Sequence, residues 1–242
     1  MNPLKCAFSV MLEKFLGLVV RHRSIEIDQA KVREIQNMPT PTNLKELRGL
    51  QGHLAYIRRF IPNLLSHCRP LSHLMNKGAP FERDDSCQKA FNSIKRYLFS
   101  PPIVGAPIPG KPHLLYIIAQ EHSLGALCAQ ENSEGMEKAF YYLSRTLVGA
   151  ELNYSSIEKM SLALMFVVQK LKHYMQAHTQ RVISKVDLVK YILSRLVLQG
   201  RLARWAVILE QYDLIYISSK AVKGQALVDF LCLTTWSQMK TF

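Results

Sequence analysis

The stretch SPPIVGAPIPGKP, residues 100–112, constrains this chain more than any other. Its five prolines and two glycines exclude a helix or an inner strand, because proline lacks a backbone donor and fixes φ. It reads as an extended connector between two parts of different pattern. Before it, apolar residues recur at helical spacing. After it, short aromatic and aliphatic runs alternate with helical ones.

In the first part, CAFSVMLEKFLGLVV reads as two short buried strands around a turn. Glu13 and Lys14 interrupt it too early for a signal peptide. Asp28 can cap a helix from Gln29 to about Met38, which Pro39 and Pro41 stop. Asn43 followed by Glu46 resembles a capping box for the next helix. Leu44, Leu47, Leu50, Leu54, Ile57 and Ile61 then form one buried stripe at spacings of three and four. Gly49 and Gly52 each cost roughly 1 kcal/mol of helix propensity relative to Ala. The expected return is close approach of another backbone. Lys45, Arg48, Arg58 and Arg59 fall mostly away from the stripe, as a solvated face or one that tracks phosphates. A further helix from Asp85 to Leu98 is expected to bury Cys87, Phe91, Ile94 and Leu98.

In the second part, HLLYIIAQ, SLGALCAQ and KAFYYLSR read as three antiparallel strands, with the second turn at Asn132–Gly135. One long helix, SIEKMSLALMFVVQKLKHYMQAH, follows. QRVISKV is a fourth strand and DLVKYILSR a short helix. GRLARWAVILEQ is another helix, YDLIYIS a fifth strand and VKGQALVDFL a last helix.

Composition bounds the class. Hydrophobic residues make up 48% and charged residues 20%, an ordinary globular balance. Lys and Arg total 31 against 18 acids, a net charge of +13. That excess suits either a solvated surface or a polyanionic partner, chiefly nucleic acid. No basic amphipathic helix points to a membrane surface, and no apolar run approaches the ~18 residues of a span. The five cysteines are scattered and form no CxxC pair, which argues against a disulfide framework or zinc knuckle. His67, Cys68 and His73 fit no zinc spacing. An intracellular, reducing compartment, cytoplasmic or nuclear, is the expectation.

The residues also carry a family likeness. KFLGLVV followed by PTPTNLKELRGLQGHLAYIRRFIPN resembles the thumb of gypsy-type LTR retrotransposon reverse transcriptases. KGAPFERDDSCQKAFNSIKRYLFSPPIV is similar to the segment joining that thumb to a tethered ribonuclease H domain. AFYYLSRTLVGAELNYSSIEKMSLAL, GRLARWAVILEQYDLIYI and KGQALVDFL resemble successive blocks of that domain. The likeness runs from about Leu4 to Leu231. It implies an α/β (α+β) chain: a small, mainly helical thumb and connector, then a ribonuclease H-like five-stranded mixed sheet flanked by helices. The divisions it implies are a palm-edge remnant (1–25), thumb and connector (26–99), linker (100–112), ribonuclease H-like domain (113–232) and tail (233–242). The fingers and most of the palm would lie before Met1, and no YxDD-like polymerase turn is present.

In that family, four carboxylates hold two Mg²⁺ ions that hydrolyse the RNA strand of an RNA–DNA hybrid. Two such cations, roughly 4 Å apart, stabilise the attacking water and the leaving oxygen together. The matching positions here are uneven. The family's strand Asp, in a pattern like LYTDAS, is Ile118 in LYIIAQ. The helix-opening Glu of NYSTTEKE corresponds to Glu158. Asp187 lies about two residues off the register of a TDHKPL-like motif, and Asp229 in ALVDF matches the last Asp. Glu121 and His122, past the hairpin turn, are expected to point elsewhere. Arg83 stands where the PFxW motif has Trp.

The resemblance therefore implies a retrotransposon-derived reverse transcriptase and ribonuclease H-like fragment, catalytically inactive, with residual sequence-independent binding to an RNA–DNA hybrid or duplex. Mg²⁺ would not be bound productively. Lys45, Arg48, Arg58, Arg59, Arg201 and Arg204 are the candidate contacts, although Leu202 and Ile208 favour a core position for neighbouring Trp205. The missing palm and fingers half of a polymerase is a further candidate partner. Two alternatives remain: an active ribonuclease H holding a metal with Glu158, Asp187 and Asp229, and a non-enzymatic interaction module or translated relic.

Overall fold

The computed structural model describes residues 12–15, 18–21, 24–61, 64–75, 81, 84–99, 101, 103–194 and 200–219. Asp229, Arg83 and the expected last helix lie outside the described residues.

The described residues begin with antiparallel strands β1 (Leu12–Phe15), β2 (Leu18–Arg21) and β3 (Ser24–Ile27). The two strands read from CAFSVMLEKFLGLVV exist, and the second is less buried than expected. Leu18 and Val19 are half-buried, while Val20 and Arg21 are exposed. Strand β3, SIEI, was not expected from the sequence. Helix α1 (Gln29–Asn37) is capped by Asp28, whose carboxylate accepts from the Ala30 amide.

Helix α2 (Leu44–Ile57) carries the expected stripe. Leu47, Leu50, Leu54 and Ile57 are buried, as is Ile61 beyond the one-turn 3-10 helix Arg58–Phe60, while Leu44 is half-buried. Asn43 accepts from the Glu46 amide at 2.9 Å. Glu46 reaches back to the amide and hydroxyl of Thr42, one residue further than the capping box requires. The glycines differ from expectation: a Cβ at Gly49 or Gly52 would meet nothing within 4 Å. No backbone of the described chain approaches them, because they face outward over a groove shared with Lys31, Ile35 and Tyr56. Helices α3 (Leu64–His73) and α4 (Asp85–Tyr97) follow. Cys87, Phe91, Ile94 and Leu98 are buried as their spacing predicts.

The proline-rich segment is extended, and two of its residues are paired. Val104–Gly105 form β4, an edge strand hydrogen-bonded to β3, and Val104 is fully buried. The prolines flank this strand rather than occupying it, so no ladder donor is lost.

The second sheet is five-stranded, in the order β7–β6–β5–β8–β9. Strands β5 (His113–Ala119), β6 (Ser123–Glu131) and β7 (Glu137–Thr146) are antiparallel neighbours. Strands β8 (Gln180–Ser184) and β9 (Leu214–Ser218) run parallel to β5 on its other side. The turn at Asn132 closes as read. Its side chain accepts from the amides of Glu134 and Met136, and Gly135 has φ +76°.

The expected single helix is two, α5 (Ser156–Lys170) and α6 (Lys172–Ala177), broken at Leu171. No Gly or Pro marks the break. Leu171 and Met175 stay buried across it, so packing rather than propensity sets the geometry. Helices α7 (Leu188–Leu193) and α8 (Arg201–Leu209) stand between β8 and β9.

The period-two alternation of β5 divides the core. Leu115 and Ile117 belong to an apolar cluster with residues of α5 to α8. Leu114, Tyr116 and Ile118 face a second cluster that includes the buried stripes of α2 and α4. The N-terminal helices and the sheet thus share one apolar interior. Each large side chain buried there contributes about 1.5–3 kcal/mol. No helix among the described residues is long and apolar enough to cross a membrane.

Candidate functional site

Three backbone elements meet at one corner of the five-stranded sheet. The Lys159 ammonium donates to the carbonyl of Glu121 at 3.0 Å, which ties the start of α5 to the turn after β5. Arg201, the first residue of α8, reaches the same helix start: its Nη2 donates to Glu158 Oε1 at 3.0 Å. These bonds bring the turn after β5 and the start of α8 to the start of α5.

Ile118 pairs with Gly125 across the β5–β6 ladder. It is half-buried, and its side chain packs on the cluster shared with the N-terminal helices. The position offers hydrocarbon and no ligand atom.

Glu158 is the third residue of α5 and closes a capping box. The amide and hydroxyl of Ser155 both donate to its Oε2, at 3.0 and 2.9 Å, while Ser155 Oγ accepts from the Glu158 amide. Its other oxygen takes the Arg201 guanidinium. The Ser155 donors first, and the Arg201 charge second, hold the carboxyl below the usual carboxylate range. The S-x-x-E spacing of Ser155 and Glu158 is the sequence signal for this box, and reading Glu158 only as an acid near a helix start missed it.

Asp187 is engaged locally as well: it caps α7 and accepts from the Lys190 amide at 2.9 Å. The Glu121 side chain is 83% exposed and pairs with His122 at 3.7 Å. Among the described residues, no three His, Cys, Asp or Glu side chains are grouped to hold a metal ion.

The basic candidates divide into two kinds. Lys45, Arg48, Arg58 and Arg204 are exposed. Arg59 is not on that free face: its Nη2 donates to the Phe140 carbonyl at 3.2 Å and its guanidinium lies 4.8 Å from the Tyr141 ring centre. It pins the 3-10 turn to edge strand β7. Arg201 is committed to Glu158 and packs over the Tyr154 ring at 3.8 Å. Trp205 is core, 8% exposed, with half-buried Leu202 and Ile208 beside it.

Residues 108–212 match the model of the RNase H-like domain found in reverse transcriptase. Over 86% of its length the chain is 31% identical to the Retrovirus-related Pol polyprotein from transposon opus of Drosophila melanogaster. The chain is a homologue of retrotransposon Pol polyproteins. It is also 27% identical, over 88% of its length, to the transposon Tf2-3 polyprotein of Schizosaccharomyces pombe, and such relatives are consistent with a gypsy-type origin. This Pol homologue spans about a fifth of the curated relatives it matches, 22% of the opus protein and 16% of Tf2-3. Its fold resembles the foamy viral protease-reverse transcriptase in complex with RNA/DNA hybrid, with a TM-score of 0.74 at 20% identity, covering 90% of this chain and 30% of that one. The same viral protein in complex with dsDNA gives a TM-score of 0.72 at 19% identity, covering 90% and 47%.

RNase H-like domains of this family typically use Mg²⁺, a hard cation that demands converging oxygen ligands in near-octahedral array. The described donors of this Pol homologue do not fit that requirement. Ile118 supplies no oxygen, Asp187 is turned to a helix cap, and both oxygens of Glu158 are engaged within the chain.

Proposed function

We propose that this chain is a Pol segment that binds nucleic acid without sequence preference and does not hydrolyse it. The observation that carries the reading is the chemistry at the sheet corner: a hydrocarbon at 118 and a carboxylate at 158 already neutralised by an arginine. Two-metal hydrolysis of a hybrid needs anionic oxygens at these positions. With none at 118 and that of Glu158 paired to Arg201, what this reading leaves is affinity.

That affinity is assigned to the outward face of α2, where Lys45 and Arg48 are exposed beside the unobstructed backbone at Gly49 and Gly52. Arg58 and Arg204 extend the basic surface. A helix with open glycines lets a phosphate backbone come close, and its cations release condensed counterions on binding. The face of the N-terminal sheet that carries Val20, 37% exposed on the inner strand β2, is the surface assigned to the palm and fingers half of a polymerase. Buried free thiols at Cys68, Cys87 and Cys128 suit a reducing intracellular compartment.

Fluorescence anisotropy with a labelled RNA–DNA hybrid tests the binding claim. Affinity is expected to fall by at least about tenfold between 50 and 200 mM salt. Affinity that does not change over this range refutes a phosphate-tracking surface.

A further inference from the structure

We infer that the pocket lined by α2, α3, α5 and edge strand β7 binds a small aromatic acid, with its rings on the apolar wall and its anionic group toward Arg58 and Lys170. The pocket shares no lining residue with the sheet corner around Glu158.

Its position follows from how the two apolar clusters meet. β7 ends the five-stranded sheet, so its outer backbone groups have no strand partner. Successive side chains of β7 alternate: Tyr142 joins the cluster shared with the N-terminal helices, and Leu143 joins the cluster of α5 to α8. Elements packed on opposite faces of the sheet thus line one space at its edge. Leu54 of α2, Leu64 and Cys68 of α3, and Phe166 of α5 all contribute. The space is about 380 Å³, within the roughly 300–1,000 Å³ of small-molecule sites. The adjoining 3-10 turn is held on both sides. Arg59 donates to the Phe140 carbonyl of β7 at 3.2 Å, and the Tyr97 hydroxyl donates to the Phe60 carbonyl at 3.1 Å. The pocket is therefore preformed.

Its chemistry is divided. Leu54, Leu64, Cys68 and Leu143 are buried, and the Cys68 thiol adds no charge because burial pushes its pKa up to about 12. Arg58 and Lys170 line the same pocket from exposed positions. Neither side chain has an ion pair or hydrogen bond among the described residues. None of the described lining residues is acidic. The 3-10 turn creates this asymmetry: Arg59 is captured by β7, while Arg58, one residue earlier, keeps its charge in solvent. An apolar body with one anionic group matches both parts. Its rings displace water from walls that bond it poorly, and its anion stays at the wet rim, where little desolvation is required. The Tyr142 and Phe166 rings favour an aromatic body. A nucleotide fits less well, since the buried floor would strip water from its base edges without replacing those hydrogen bonds.

The probe is anilinonaphthalene sulfonate, whose fluorescence rises in apolar surroundings. It is titrated into the full chain beside N-phenylnaphthylamine, which has the same rings and no sulfonate. Wild type is expected to bind one equivalent of the sulfonate saturably, about fivefold or more tightly than the neutral amine. Lys170→Glu is expected to weaken the sulfonate about fivefold and to leave the amine within about twofold of wild type. Ala55→Trp places an indole in the pocket without altering a charge, and is expected to weaken both probes about tenfold or more. Ala55 and Lys170 are both exposed, so neither variant disturbs the core. Naphthoate is expected to displace the sulfonate at lower concentration than adenosine monophosphate does.

Sulfonate and amine affinities that are equal in wild type and unmoved by Lys170→Glu overturn the assignment of an acid. Unchanged binding of both probes by Ala55→Trp overturns the site. Displacement by adenosine monophosphate at lower concentration than naphthoate overturns the ligand class.

Discussion

Replacing His113 by Phe should flatten the acid side of the stability profile. His113 opens β5 with only 1% of its surface exposed. Its ring lies 4.8 Å from that of Phe140 and 4.2 Å from that of His178. Its Nδ1 meets the Gln180 side-chain amide at 3.2 Å, and its Nε2 has no hydrogen-bond partner among the described residues. Burial first, and the facing His178 second, push its pKa from 6.5 to about 4. The unfolded chain thus takes up the proton at higher pH than the folded one. Stability present above the unfolded value is lost as pH falls from 6.5 towards 4. A shift of this size corresponds to a loss of about 2 kcal/mol between pH 8 and 5, levelling near 3 kcal/mol below pH 4. The carboxylates of Glu151 and Glu158, whose pKa values are lowered from 4.5, give up their contributions only at more acid pH. Urea unfolding at pH 8 and pH 5 isolates the histidine. Wild type should lose about 2 kcal/mol more over that interval than His113→Phe, which keeps the ring stack but cannot titrate. Equal losses in the two proteins would refute the reasoning.

Other perturbations have equally definite outcomes. Gly49→Ala and Gly52→Ala each meet open space, so thermal unfolding should show a gain of about 1 kcal/mol apiece, while hybrid affinity in the anisotropy assay should fall because the added methyl stands at the proposed contact face. Lys45→Ala and Arg48→Ala should each reduce the slope of log affinity against log salt by about one; unchanged slopes place the interface elsewhere. Leu115→Ala, at a fully buried position of β5, should cost about 2–5 kcal/mol in urea unfolding, whereas a cost under about 1 kcal/mol would mean the core between the five-stranded sheet and α5 to α8 is misassigned.

Much of this architecture was legible before any coordinates. The aromatic and aliphatic runs at 113–119 and 123–131 and the stripe from Leu47 to Ile57 each belong to one long, strongly patterned element. Patterns of that length leave few alternatives. The failures are short or tertiary in origin. Strand β3 is four residues, and β4 is two residues inside a proline-rich run. The break at Leu171 has no breaker residue and follows from packing. Open space over Gly49 and Gly52 depends on what surrounds α2, which spacing along one helix does not encode.

The candidate site divides along the same line. That Ile118 cannot hold a cation follows from its identity. That Glu158 caps its own helix was written in Ser155, three residues before it, yet its pairing with Arg201 spans 43 residues and needed the fold. Arg59 shows the converse: its helical position suggested a basic surface, but the edge of β7 captured it.

The central claim is that this corner of the sheet no longer performs two-metal hydrolysis. Single-turnover incubation of the wild-type chain with an end-labelled RNA–DNA hybrid and Mg²⁺, at a salt concentration where anisotropy shows the hybrid bound, tests it most directly. The account predicts intact RNA strand after prolonged incubation, identical to the Glu158→Ala control. RNA cleavage by wild type that Glu158→Ala abolishes would contradict it.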